Sequence, residues 1–112
     1  KNEILNTAEV YENCMISFTD SNSSDIRIIT AKAADEMLNI ENIRASFVLS
    51  YISDDVVQIS ARSLGEENVQ LIMENLGGGG HSTMAAAQIK NADISTAKNM
   101  LLKAIDNYNL AK

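Results

Sequence analysis

Apolar positions change their period several times along this 112-residue chain, and each change marks an element. Cys14 to Phe18 alternates apolar and mixed positions, as a strand does. From Asp25 to Asn39 the residues Ile26, Ile29, Ala33, Met37 and Ile40 recur at helical spacing, which predicts an amphipathic helix with one face on a sheet. Ser46 to Ile52 returns to period two, with Phe47, Leu49 and Tyr51 on one face. Val56 to Arg62 does the same: Val57, Ile59 and Ala61 face one way, Gln58, Ser60 and Arg62 the other. Asp54-Asp55 between these runs is the reversal of a hairpin.

Gly65-Glu66-Glu67-Asn68 is expected to open the next helix, since carboxylates in a first turn suit the helix dipole. Val69, Ile72, Met73 and Leu76 are its buried stripe, and Gly77 ends it. His81 to Ala86 reads as a short helix and Ala87 to Lys90 as an edge or return strand. Ser95 is expected to cap a last helix with Ala97, Met100, Leu101, Ala104, Ile105 and Tyr108 on one stripe. At the other end, Asn2 to Val10 reads as a helix. Residues 1–12 are then a linker or helix from an upstream region, and 13–112 the domain proper. Residues 20–24 are turn-like, with Ser23 or Ser24 as cap of the helix that begins near Asp25. The order helix, strand, helix, strand, strand, helix, strand, helix predicts an α/β domain: a mixed β-sheet with helices packed against it.

Composition narrows the function classes. The length suits one domain, and its few aromatic residues leave an aliphatic core. No apolar run approaches the roughly 20 residues of a membrane helix, and no signal peptide is visible. A first residue of Lys1 and not Met is expected of an excised segment. Net charge is -6, with nine Lys and Arg against fifteen Asp and Glu. That balance argues against a broad basic face for long nucleic acid, so any phosphate must be held in a small local site. Cys14 is the sole cysteine, which excludes an internal disulfide and a thiolate cluster. It reads as a small buried hydrophobe, in a setting that fits a reducing cytosol.

The run Gly77-Gly78-Gly79-Gly80-His81 carries the most chemistry. A helix C-cap needs one glycine, and each further one loses much backbone freedom on folding. Exposed N–H groups there, followed by a helix N-terminus at Ser82, are expected to form an anion cradle, with His81 as a further donor. A flexible linker or an over-long cap is the competing reading. The run lacks the Gly-Lys-Ser/Thr of a P-loop, and it follows a helix where a dinucleotide fingerprint follows a strand. Arg62 is the second candidate, since a guanidinium fork at a strand end suits phosphate; a solvated arginine is the bland alternative. His81 is the sole histidine, and the pairs Asp35-Glu36, Asp54-Asp55 and Glu66-Glu67 point apart, as a hairpin tip and solvated helix faces do. No metal-ligand constellation or nucleophilic triad is expected within the chain.

Gly78-Gly79-Gly80-His81 followed by Ala85-Ala86 resembles the GGGH-x-x-x-A-A signature of the DHH-associated domain, the C-terminal lobe of DHH-family phosphoesterases. Ile59 to Ser63, then a helix containing Asn68-Val69, also resembles that lobe, and the stretch from Ser60 to Gly65 through Ile72-Met73-Glu74 and Gly77 to His81, with Ala33-Ala34-Asp35 and Ala45 to Val48, is similar to the GdpP-type cyclic di-AMP phosphodiesterases of Gram-positive bacteria. The resemblance runs from about Ile26 onward. It implies a substrate-binding lobe that closes over a separate DHH lobe of the same chain, which carries two metal ions, usually manganese. It implies no catalytic residue and no cofactor within these residues. Substrate would be held by Gly78, Gly79, Gly80 and His81, helped by Arg62, Ser60, Ser63, Ser82 and Thr83. The ligand it implies is a cyclic dinucleotide or a short linear one, with cyclic di-AMP opened to the linear form. It further implies a membrane-bound parent, with a homodimer as one option, whose catalytic part faces the cytoplasm, this lobe itself being soluble. Two other readings stay open: an oligonucleotide phosphodiesterase, and a non-catalytic RNA-binding module as in alanyl-tRNA synthetases.

Overall fold

The computed structural model describes residues 2–21 and 23–112, without the side chains of Asn2 and Glu3. In order, the elements are α1 (Asn2–Asn6), β1 (Glu9–Tyr11), β2 (Cys14–Thr19), α2 (Ile26–Met37), β3 (Ala45–Ser53), β4 (Val56–Ser63), α3 (Val69–Glu74), β5 (Gly79–His81), β6 (Met84–Lys90) and α4 (Ile94–Leu110). The strands form one six-stranded sheet in the order β1-β2-β3-β4-β6-β5. The β2–β3 pair, joined through α2, is parallel, and every other pair is antiparallel. The fold is thus a mixed sheet with helices against it, and β3 and β4 form the expected hairpin.

Period two sorts the strand residues onto two unlike faces. Phe47, Leu49, Val57, Ile59, Ala61, Ala85, Ala87 and Ile89 join Val69, Ile72 and Met73 of α3 and Ala97, Leu101, Ala104 and Ile105 of α4 in the main core. The opposite face is smaller and more polar. There Met15 and Val48 pack under Ala33, Ala34 and Met37 of α2, among the buried hydroxyls of Ser17, Thr19, Ser46, Ser50 and Ser60. Hydrogen bonds join α2 to this face. Ser46 Oγ donates to the Ala34 carbonyl at 2.6 Å, and Thr30 Oγ1 lies 3.3 Å from Ser60 Oγ. Because α2 packs on β3 and β4 and α1 on β2, the same face of β6 and β5 is left open: Met84, Gln88, Lys90 and His81 are exposed along it.

Several expectations are corrected. The first helix stops at Asn6, and Glu9–Tyr11 instead pairs with β2 as an edge strand. Residues 82–86 form no helix: they are the tip of a hairpin and the start of β6, because Met84 to Ala86 pair with β4 on one side and β5 on the other. Glu66 and Glu67 precede α3, whose cap is Asn68, with its side chain accepting from the Leu71 N–H. Nor is Glu67 a solvated helix residue. Only 7% of its side chain is exposed, and it lies between Lys112 Nζ at 2.7 Å and Arg44 Nη1 at 3.9 Å. Asp93, not Ser95, caps α4 by accepting from the Thr96 N–H. Asp25 takes the cap position of α2, and its own N–H donates to Ser23 Oγ. Met100 and Ile40 are exposed, so they drop out of their stripes. Asn22 of the 20–24 turn and Lys1 of the upstream segment lie outside the described residues.

Candidate functional site: the open face beside Arg62

The four glycines have four different local situations. Gly77 has φ +85° and its N–H donates to the Glu74 carbonyl, while the Gly78 N–H reaches back to Met73. These two bonds close α3 in a Schellman motif, and its left-handed position favours glycine. Gly78 lies so near β6 that a Cβ would stand 2.1 Å from the Ala86 carbonyl oxygen. Gly80 has both constraints: φ +143° and a Cβ position 2.5 Å from the Met84 carbonyl oxygen. Gly79 has neither. A Cβ there would meet nothing within 4 Å.

Gly79 and its neighbours form rows across the sheet. His81 pairs with Met84, which pairs with Arg62, which pairs with Ser46; one step along, Gly79 pairs with Ala86, which pairs with Ser60. Directly opposed residues share a face, so His81, Met84 and Arg62 line up on the side left open by α2. With strands about 4.8 Å apart, the Cα atoms of Arg62 and His81 stand roughly 10 Å apart. Further along the same strands a groove of about 350 Å³ is lined by Gly77, Gly78, Gln58, Gln88 and Lys90. β5 is also a sheet edge, and its outer row of backbone groups has no strand partner among the described residues.

The arginine itself is held. Its Nε lies 3.2 Å from Asp35 Oδ1 on α2, an ion pair without the alignment of a hydrogen bond. Its Nη1 donates to the Ala61 carbonyl at 2.9 Å. The side chain is only 13% exposed. Nε is sealed from solvent, whereas Nη2 is not and has no protein acceptor among the described residues. The guanidinium is therefore held at Nε and Nη1 and free at Nη2.

The remaining candidates divide. Ser82 and Thr83 are exposed at the β5–β6 tip, but no helix starts at Ser82, and the nearest helix start, Val69 of α3, donates its N–H to the Ser82 carbonyl at 3.0 Å, so the expected cradle of loop and following helix does not form. Ser60 is buried against Thr30, and Ser63 is buried with its Oγ donating to the Ser82 carbonyl at 3.1 Å. Their hydroxyls serve the fold and face no open surface. Met84, Gln88, Lys90 and Asp35 were not singled out as site residues, because only the pairing of β4 with β6 and the packing of α2 place them beside Arg62. Among the described residues, no three His, Cys, Asp or Glu side chains come together to hold a metal ion. No helix among them is long and apolar enough to cross a membrane.

The model of the DHHA1 domain matches residues 14–109. The chain belongs to that family. It is 43% identical over 109 residues to the cyclic-di-AMP phosphodiesterase PdeA of Listeria monocytogenes, covering 96% of this chain and 17% of that protein. To the cyclic-di-AMP phosphodiesterase GdpP of Geobacillus thermodenitrificans it is 47% identical over 89 residues, or 80% of this chain and 14% of the relative. This DHHA1 domain thus spans less than a fifth of each relative's length. An exopolyphosphatase-related protein from Bacteroides fragilis shares its fold, with a TM-score of 0.78 at 20% identity over 94% of this chain and 32% of that one.

Proposed function

We propose that this DHHA1 domain is the substrate-binding half of a metal-dependent phosphodiesterase that opens a cyclic dinucleotide, cyclic di-AMP first among candidates, to the linear form. Metal ions, manganese in the first instance, would be held by a separate lobe that activates water. The residues here would bind and orient the dinucleotide. The observation that carries the reading is Gly79. It lacks a side chain although nothing inside the domain forbids one, and it sits on the open face beside His81 and Arg62. An approaching ligand accounts for that bare position.

On this reading Nη2 of Arg62 and His81 take phosphate oxygens from one side, and unpaired main-chain N–H of β5 takes them from another. Neutral and cationic donors fixed before binding count most once a second lobe excludes water. Ser82 and Thr83 are at the rim, and Ser60 and Ser63 support the face from within. The similarity to two cyclic-di-AMP phosphodiesterases supports the choice of ligand. In the full-length protein, Arg62→Ala, His81→Ala and Gly79→Val are expected to slow cyclic di-AMP hydrolysis about tenfold or more with the fold intact. Unchanged turnover in all three would remove this face from the mechanism. Hydrolysis of linear dinucleotides in preference to the cyclic one would instead make it an oligonucleotide phosphodiesterase.

A further inference from the structure

Among the described residues, Asp35 is the one acidic side chain paired with the arginine of this face. Its side chain is 64% exposed, so it is not a buried counter-ion that merely neutralises a core charge. Its contact with the guanidinium is one oxygen 3.2 Å from Nε, and it accepts no hydrogen bond from Nη2. A two-point fork would have consumed Nη2 as well. The helix turn that carries Asp35 is itself docked on the sheet, since Ser46 Oγ donates to the carbonyl of the preceding residue, Ala34. The guanidinium is therefore held between Asp35 of α2 and the Ala61 carbonyl of β4, and the place of the negative charge beside it is set by α2.

We infer that Asp35 is a positioning and charge-selecting residue for the Arg62 phosphate site. With the Ala61 carbonyl it holds the guanidinium so that Nη2 stays free, and its charge favours a phosphodiester over a more highly charged phosphate. The inference rests on the reading of Arg62 as a phosphate contact. Its chemistry comes from the reaction. Water adds across one P–O bond of a cyclic dinucleotide: the hydroxyl goes to phosphorus and the proton to the leaving ribose oxygen. A diester of one negative charge becomes a terminal monoester of about -1.5 to -2 at neutral pH. A carboxylate fixed beside the arginine repels that product more than the substrate, and so hastens its release.

The test compares two linear adenine dinucleotides as inhibitors of the full-length protein, one with a terminal 5′-phosphate and one without. Asp35→Asn is expected to tighten the phosphorylated dinucleotide several-fold more than the unphosphorylated one. Asp35→Glu is expected to keep the original ratio. The difference should shrink as salt is raised, since the carboxylate is solvent-exposed. A merely structural role would move both inhibitors together and leave their ratio alone. If Arg62→Ala weakens binding but Asp35→Asn leaves the ratio unchanged, the role of Asp35 is refuted and the Arg62 site stands. If Arg62→Ala changes neither inhibitor, the Arg62 site is refuted and the role of Asp35 with it.

Discussion

Gly78 and Ala86 stand so close that a single added carbon on the glycine would sit 2.1 Å from the alanine's carbonyl oxygen. Two neighbouring glycines thus answer to different demands. Gly78→Ala and Gly80→Ala would force the β5–β6 hairpin apart and should each cost about 3 kcal/mol. Gly79→Ala should alter stability by less than about 0.5 kcal/mol, yet slow turnover in the full-length protein. Urea unfolding of the three variants beside their activities separates the two kinds of glycine. A large loss of stability in Gly79→Ala would return that residue to the fold.

Cys14 lies against the main core, and burial, reinforced by the Glu67 carboxylate, pushes its thiol up to about 11 from 9.0. The raised value means that the folded state holds the proton more tightly than the unfolded one. The stabilisation is complete below pH 9.0 and is lost as pH rises toward 11. In the native protein at pH 8, Cys14 should react with a thiol reagent far more slowly than in urea. Rapid labelling of the native state would show that the pocket opens.

Glu67 is buried between two cations that are themselves half exposed, Arg44 and Lys112. Losing one cation leaves the other in place, so Arg44→Ala or Lys112→Ala should cost about 1 kcal/mol. Losing both strands the carboxylate, and the double variant should cost on the order of 3 kcal/mol, more than the sum. Additive values in a double-mutant cycle would mean that solvent reaches Glu67 unaided.

Asp93 accepts the Thr96 N–H at 2.8 Å, and that bond holds its carboxyl below the usual carboxylate range. Its contribution is present above the unfolded pKa and lost as pH falls through the lowered one. Asp93→Ala should lower Tm at neutral pH and bring the variant and the parent closer together in acid. A gap in Tm that stays constant down to pH 3 would contradict this.

The features that could be read along the chain were those that repeat. The 3.6-residue stripe of α2 and the alternation of β3 and β4 each depend on residues close in sequence, and all three elements form where the pattern places them. Met84-Ala85-Ala86 misled for the opposite reason. Its residues are strong helix formers, but ladders to β4 and β5 on either side override that preference. The pair Arg62–Asp35 and the burial of Glu67 join residues far apart in sequence, so no local pattern announces them. The glycine run was legible as unusual. Its division into three glycines needed by the backbone and one left bare required the position of β6.

The sheet ends in a strand of only three residues, two of them glycines. An exposed edge ordinarily invites another chain to add itself on, and proteins defend such edges with charge, proline or brevity. β5 uses brevity and a bend, for Gly80 leaves the extended conformation at φ +143°. The domain can thus leave main-chain donors uncovered while offering too little straight backbone for a second sheet to align with. An edge this short and bent gives an added strand little to pair with.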